Sequence, residues 1–245
     1  MVFEEKPMGC FVKKTLKAVS SGVFVFVTWS IILRRLLCAM ALMVLVSEAA
    51  LADSYYAVFF ANDHGRILLF SRMGHQFASF VRVADDGVAL ETFTVSWLPL
   101  HLPIRPFAGE EEGRNVSLAE SINLSLSNGM TIYQLGPFKI SEDLWRAAEI
   151  QYFKLENSGS VSYSCLLTPN RLRSFNCVEA ILDIAPYQKW IRARTARYYG
   201  VNGIRAAVSH LQSGFSMVPV TDQATFDLIS IALGISNIPR QILRF

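Results

Sequence analysis

The chain has 245 residues, of which 52% are hydrophobic and 18% charged, and its formal net charge at pH 7 is +3. This length fits a leader followed by one domain that is large enough to bury a single core. Of the 23 basic and 20 acidic residues, six and three precede Asp53, which leaves 17 of each in residues 53–245. A nucleic-acid-binding domain is basic as a whole, so we expect no nucleic-acid partner.

The first 52 residues have the pattern of a secretory signal peptide. Basic residues precede two apolar stretches separated by Arg34 and Arg35, and the second stretch, residues 36–46, leads to Ala50-Leu51-Ala52. That stretch is about 11 residues long, whereas a membrane-spanning helix needs about 20. The pattern therefore predicts a cleaved signal peptide and an exported protein, secreted or periplasmic, that begins at Asp53.

Two alternatives for the leader stay open. Residues 23–46 taken together are long enough for a retained membrane anchor, which would bring the chain into contact with a membrane. That alternative places Arg34 and Arg35 near the middle of the bilayer, where each costs about 2.5 to 3.5 kcal/mol. A translation start downstream of Met1 is the second alternative.

Residues 53–98 predict an antiparallel meander. Segments rich in Val, Phe, Ile, Thr and Tyr alternate with turn signals, of which Asp85-Asp86-Gly87 is one. The predicted strands cover residues 55–61, 66–70, 75–83 and 88–98. Prolines then interrupt regular pairing, and residues 109–115 predict an acidic surface loop.

The second half of the chain predicts helices packed on that sheet. Ser117 and Glu120 have the spacing of a capping box, which starts a helix that ends near Asn128-Gly129. Ser141 begins a second helix, because acidic residues in its first turn favour the helix dipole. Further elements are a strand over residues 161–167, a short helix over 176–184 and a terminal helix over 221–233 capped by Thr221. Residues 53–245 therefore predict a single α+β domain with an antiparallel sheet and packed helices.

Two cysteines follow the leader, and two interpretations of them stay open. A disulfide between Cys165 and Cys177 is typical of an exported protein. Alternatively Cys177 is a nucleophile, because it follows Asn176 in the first turn of a predicted helix, after an arginine-bearing loop. Unpaired helix amides and guanidinium groups both favour the thiolate. Backbone amides at this helix start, marked by Asn176, would also stabilise an oxyanion.

A thiolate needs a proton partner, and four histidines are available. His75 lies on a predicted strand, beside Phe77 and Ser79 on one face, where a general base is held rigidly. His101 is a candidate for orienting that base, or is a loop residue. His64 is predicted to lie in a turn, and His210 on a helix face.

Other chemistries find little in the sequence. No pair of His, Cys or carboxylate residues has the close spacing of a zinc site, and we expect no metal. No glycine-rich phosphate-binding pattern is present, so we expect no nucleotide cofactor. No Gly-x-Ser-x-Gly motif supports a serine hydrolase.

The order of Gly74-His75 before Asn176-Cys177 resembles the circularly permuted papain-like clan, which includes lecithin:retinol acyltransferase relatives and permuted cell-wall amidases. The resemblance covers roughly residues 55–183. It implies that Cys177 attacks an amide or ester carbonyl, that His75 activates the thiol, and that a polar residue near the next strand orients the imidazole.

Ser96-Trp97-Leu98-Pro99 also resembles a segment of exported bacterial proteins of uncharacterised function. In those proteins a second histidine is expected close to the position of Phe93. Its absence here leaves Glu91, Ser96 and His101 as candidates for the orienting role.

Two functional hypotheses follow from these residues. The first is an exported cysteine amidase, peptidase or acyltransferase that acts on a small-molecule, peptide or lipid amide or ester through a thioester on Cys177. The second is a non-catalytic exported or membrane-anchored binding or structural protein. The two differ in whether Cys177 is a reactive thiol.

Overall fold

The computed structural model describes residues 53–63, 74–102, 110–157, 162–164, 174–185 and 200–244. The chain divides into two compact units, Met1–Ala52 and Asp53–Phe245, and every described residue belongs to the second. The leader, the predicted strand over residues 66–70, His64 and Cys165 lie outside the described residues. Predictions about them, and the predicted disulfide, stay predictions.

The described residues form five helices and ten strands. The helices are α1 (Leu118–Ser127), α2 (Glu142–Glu156), α3 (Cys177–Leu182), α4 (Gly200–Gly214) and α5 (Gln223–Ala232). The strands are β1 (Ser54–Asp63), β2 (Gln76–Val83), β3 (Ala89–Val95), β4 (Trp97–Pro99), β5 (Glu110–Asn115), β6 (Thr131–Ile140), β7 (Ser162–Ser164), β8 (Ser174–Phe175), β9 (Met217–Pro219) and β10 (Gln241–Leu243). Within the described part of the chain, no helix has the length and apolar character needed to cross a membrane.

The strands form two sheets of mainly antiparallel pairs. The larger sheet has the order β10-β6-β1-β2-β3, and β9 also pairs with β6. The smaller sheet has the order β4-β5-β7-β8. Parallel pairing occurs between β10 and β6 and between β7 and β8. The mixed α+β architecture with an antiparallel sheet is as the sequence predicted.

The larger sheet carries apolar side chains on both faces. Side chains alternate between the two faces along each strand, and the buried apolar residues accordingly form two clusters. Phe59 and Phe80 belong to one buried cluster, which includes Cys177 and apolar residues of α2, α3 and α4. Phe60 and Phe77 belong to the other cluster, with apolar residues of α1 and α5. We call these the Cys177 face and the α1 face. Helices therefore cover the sheet on both sides.

Several element predictions agree with the structure. Ser117 and Ser141 cap α1 and α2, each accepting an N–H from the first turn of its helix. The turn at Asp85-Asp86-Gly87 is present, with Gly87 at φ +82°. The short helix after Asn176 is α3.

Other element predictions need correction. Residues 110–115 are not a loop but strand β5, which passes so close to the Trp97 indole that a Cβ at Gly113 would lie 2.2 Å from the ring. The cap of α5 is Asp222, not Thr221. The central strand β6 was not predicted, because Gly136-Pro137 interrupts its apolar pattern; β1 and β6 shift register where they pass this site.

Gly74 is required by a close approach of two backbone segments. A Cβ at this position would lie 1.9 Å from the carbonyl oxygen of Asn62, which is part of the chain rather than a movable side chain. We expect Gly74→Ala to lower the free energy of unfolding by about 1 to 3 kcal/mol through overpacking, measured by urea denaturation. Gly214→Ala is the matched control, because nothing lies within 4 Å of its added Cβ. Equal effects of the two substitutions would contradict this account.

Candidate functional site

His75 lies just before β2 with its imidazole buried on the α1 face. Its ring stacks on that of Phe77 with centroids 5.2 Å apart. Its Nε2 atom lies 2.8 Å from Oγ of Ser96, the residue between β3 and β4. Of the three residues considered for orienting this imidazole, the structure places Ser96 beside it.

The hydroxyl groups beyond Ser96 fix the direction of this hydrogen bond. Ser121 donates its only hydroxyl proton to the carbonyl of Ser117 at 2.9 Å. Ser96 and Ser121 lie 2.7 Å apart between their Oγ atoms, so Ser96 donates to Ser121. Ser96 has then used its proton and must accept one from His75 Nε2. The imidazole is therefore the tautomer protonated on Nε2.

The other ring nitrogen of His75, Nδ1, is buried, and within the described residues it has no hydrogen-bond partner. Burial lowers the pKa of His75 from 6.5 to about 3, because a charged imidazolium would be removed from water. The imidazole is therefore neutral at physiological pH. A base with so low a pKa is poorly matched to proton transfer near pH 7.

A second set of hydrogen bonds ties the backbone of His75 to α1. The His75 N–H donates to the side-chain oxygen of Asn62, and the Asn62 N–H donates to the His75 carbonyl at 2.9 Å. Asn62 Nδ2 donates to Ser125 Oγ at 2.7 Å, and Ser125 donates to the carbonyl of Ser121, also at 2.7 Å. These bonds and the proton chain from His75 fasten the end of β1, the start of β2 and the end of β3 to one helix.

Cys177 is the first residue of α3 and lies in the core of the Cys177 face. The preceding Asn176 closes a capping box: its Oδ1 accepts the N–H of Glu179 at 2.9 Å, and the Glu179 carboxylate accepts the N–H of Asn176 at 3.1 Å. The predicted helix start is thus present. Its Asn176 side-chain oxygen is occupied by capping.

The structure does not bring His75 and Cys177 together. The imidazole lies on the α1 face, and the thiol lies in the core of the opposite face. At the start of β2 the side chain directed toward the Cys177 face is that of Gln76, which donates to the Gly200 carbonyl at the beginning of α4. Among the described residues neither ring nitrogen of His75 has the Cys177 sulfur as its partner, because Nε2 contacts Ser96 and Nδ1 has no hydrogen-bond partner there. The described structure therefore does not place His75 beside Cys177, and the catalytic roles of Cys177, His75 and His101 stay predictions.

The remaining histidines do not complete such a pair among the described residues. His101 is exposed in a bend after β4, whereas His75 is buried. His210 is buried in α4, and its Nε2–H donates to the Ala185 carbonyl at 3.2 Å. Across the described segments, no group of three His, Cys, Asp or Glu residues is placed to hold a metal ion.

The serines of α1 are the site residues that the sequence analysis missed. Ser117, Ser121 and Ser125 recur at intervals of four residues, and side chains with that spacing lie on one face of a helix. Two of these serines are fully buried, which is unusual for a hydroxyl unless it is hydrogen-bonded. A polar stripe on an otherwise apolar helix face was the available signal.

Comparisons of the chain with protein-family models, with curated proteins and with solved structures found no match.

The buried neutral histidine predicts a specific pH dependence of stability. In the unfolded chain the imidazole binds a proton below its ordinary pKa of 6.5, whereas in the folded chain it stays neutral down to about pH 3. Protonation therefore favours the unfolded state. We expect the free energy of unfolding to fall, as the pH is lowered through this range, by about 1.4 kcal/mol per pH unit from His75 alone.

The measurement is urea denaturation between pH 4 and pH 7 for the wild type and for His75→Gln, which keeps a donor for Ser96 but does not titrate. The difference in slope between the two proteins isolates His75 from the carboxylates. Parallel pH dependences would show that the imidazole is not held neutral.

Proposed function

We propose that this chain is an exported, non-catalytic binding protein whose domain is related to the permuted papain-like fold. The observation that carries the proposal is the separation of His75 and Cys177 onto opposite faces of the sheet. Because His75 lies on the other face of the sheet, it does not serve as the base that a cysteine hydrolase places beside its thiol.

The papain-like relationship is supported by the order and setting of the elements. A histidine precedes an early strand of an antiparallel sheet, and a cysteine opens a later helix that packs on the same sheet. The difference from a papain-like site concerns the surroundings of His75. Ser96 and the serines of α1 engage His75 in a buried network, so the imidazole acts as a structural donor. Export is supported by the signal-like leader.

A cysteine-dependent hydrolase or acyltransferase is the second candidate. One observation favours it: Cys177 is the first residue of a capped helix, a position that stabilises a thiolate. That mechanism would require a base other than His75 as placed here. The two candidates make opposite predictions for the reactivity of the thiol.

We expect Cys177 to label as an ordinary buried thiol. The experiment uses the protein without residues 1–52, alkylated at pH 4 to 9 without reductant, with the labelled site assigned by mass spectrometry. The rate should follow a thiol pKa of about 8.5 or above and should be the same in His75→Gln. Labelling well below that pH, abolished by His75→Gln, would establish the hydrolase instead.

A further inference from the structure

The edge of β3 that faces away from β2 borders a cleft. This strand is the last in the order of the larger sheet, and among the described residues it pairs only with β2. The cleft has a volume of about 350 Å³, within the range of ligand-binding sites. It is lined by Thr92 and Thr94 along the strand, by Asn115 and Ser117 at one end, and by Tyr152 and Glu156 of α2.

Asn115 shows which backbone groups of β3 face this cleft. Its side-chain amide donates to the Thr94 carbonyl at 2.8 Å, and its side-chain oxygen accepts the Ser96 N–H at 2.7 Å. These are the two bonds that the backbone of a neighbouring strand would make. Because residues alternate along a strand, the N–H and C=O groups of Thr92 point to the same edge.

Strand β5, of the smaller sheet, follows this edge only as far as Asn115. β5 pairs with β4, which continues the line of β3 after Ser96, and the chain then turns away at Val116 into α1. An added strand that occupied the line of β5 beyond Asn115 would run antiparallel to β3. It would pair with Thr92. Beyond Thr92 the register of β2 and β3 shifts between Arg82 and Val83, and the Val88 carbonyl accepts the Ala84 N–H at 2.9 Å, so the pairing would end there.

The carboxylate of Glu156 gives the cleft a negative charge, which favours a basic ligand. Glu156 accepts a hydrogen bond from Asn115 Nδ2 at 2.9 Å, and within the described part of the chain it forms no ion pair. Tyr152 and Phe93, whose rings lie 5.3 Å apart, form the adjoining aromatic wall. Burial, and next the charge of Glu156, raise the pKa of Tyr152, so its phenol stays neutral. A carboxylate beside aromatic rings is suited to an ammonium or guanidinium group.

We propose that an extended peptide with a basic side chain adds to the edge of β3 as a further antiparallel strand and places that side chain against Glu156. Main-chain hydrogen bonds to an exposed sheet edge supply affinity in this mode, and side-chain pockets supply selectivity. The proposal rests on the binding function proposed above and names its ligand class.

The probes are capped, fluorescent peptides of sequence Thr-Val-X-Val-Thr, in which X is Lys, Arg, Gln or Glu, titrated against the protein without residues 1–52 and followed by anisotropy. We expect Lys and Arg peptides to bind more tightly than Gln, and Glu to bind most weakly. Methylation of alternate backbone amides of the Lys peptide should abolish its binding. Absence of binding by all four peptides would overturn the proposal.

Two variants locate the binding. Thr92→Pro removes an edge N–H without touching the bonds to β2, and should weaken the Lys peptide about tenfold; Thr92→Ala keeps the N–H and is its control. Glu156→Gln should weaken the same peptide about two- to fivefold, whereas Glu149→Gln, on the same helix outside the cleft, should not. Circular dichroism is the control that tests whether each variant is folded. Unchanged affinity in both Thr92→Pro and Glu156→Gln would overturn the proposal.

Further outcomes are distinguishable. A concentration-dependent dimer that Thr92→Pro abolishes, seen by sedimentation, would make a second copy the occupant and would overturn the peptide proposal. Mass spectrometry of the recovered peptide tests the underlying function separately. Cleavage by the wild type but not by Cys177→Ala would retain the edge as a binding site and reject the non-catalytic function. Failure of peptide binding with an unreactive Cys177 would reject only the edge proposal.

Discussion

A one-directional chain of hydrogen bonds organises the α1 face of this domain. It runs from His75 Nε2 through the hydroxyls of Ser96 and Ser121 to the carbonyl of Ser117, and each group uses its single proton in the same direction. Each such bond contributes only about 0.5 to 1.5 kcal/mol net, but an unpaired buried partner costs more. Replacing one of these side chains therefore leaves its buried neighbours without a hydrogen-bond partner. This mutual dependence explains why a polar network lies at the junction of strands β1, β2 and β3 with α1.

The same chain decides what the histidine can do. A general base needs a lone pair directed at the proton that it removes. The lone pair of this imidazole is on Nδ1, which is buried and has no hydrogen-bond partner among the described residues. Ser96 donates away from the ring, so the Ser96–His75 pair does not have the arrangement of an activated serine either. The order of His75 before Cys177 resembles that of a hydrolase, whereas the proton positions around His75 are those of a structural network.

The sequence predicted what depends on local physics. Helix caps, turns and strand alternation are determined by residues close together in the chain. From these local signals follow the α+β class, the helices α1 and α2, and the position of His75 on the same side of its strand as Phe77. What the sequence could not supply is which face of β2 carries the cysteine helix. Phe77, Ala78, Phe80 and Val81 are all buried, so the strand shows no polar face, and a shift of one residue exchanges the two sides. Likewise, the acidic residues of β5 favoured a surface loop in the sequence-based prediction. The strand forms because β5 pairs with β4 and with β7, which is distant in the chain.

The nitrogen resonances of His75 test the central claim most directly. In ¹⁵N-labelled protein, long-range proton–nitrogen correlation distinguishes the two neutral tautomers and the imidazolium. The account predicts an imidazole protonated on Nε2 that stays neutral from pH 7 to pH 4.5, with resonances unchanged in Cys177→Ala. A proton on Nδ1, titration near pH 6.5, or a response to removal of the thiol would contradict it and would return His75 to the role of a catalytic base.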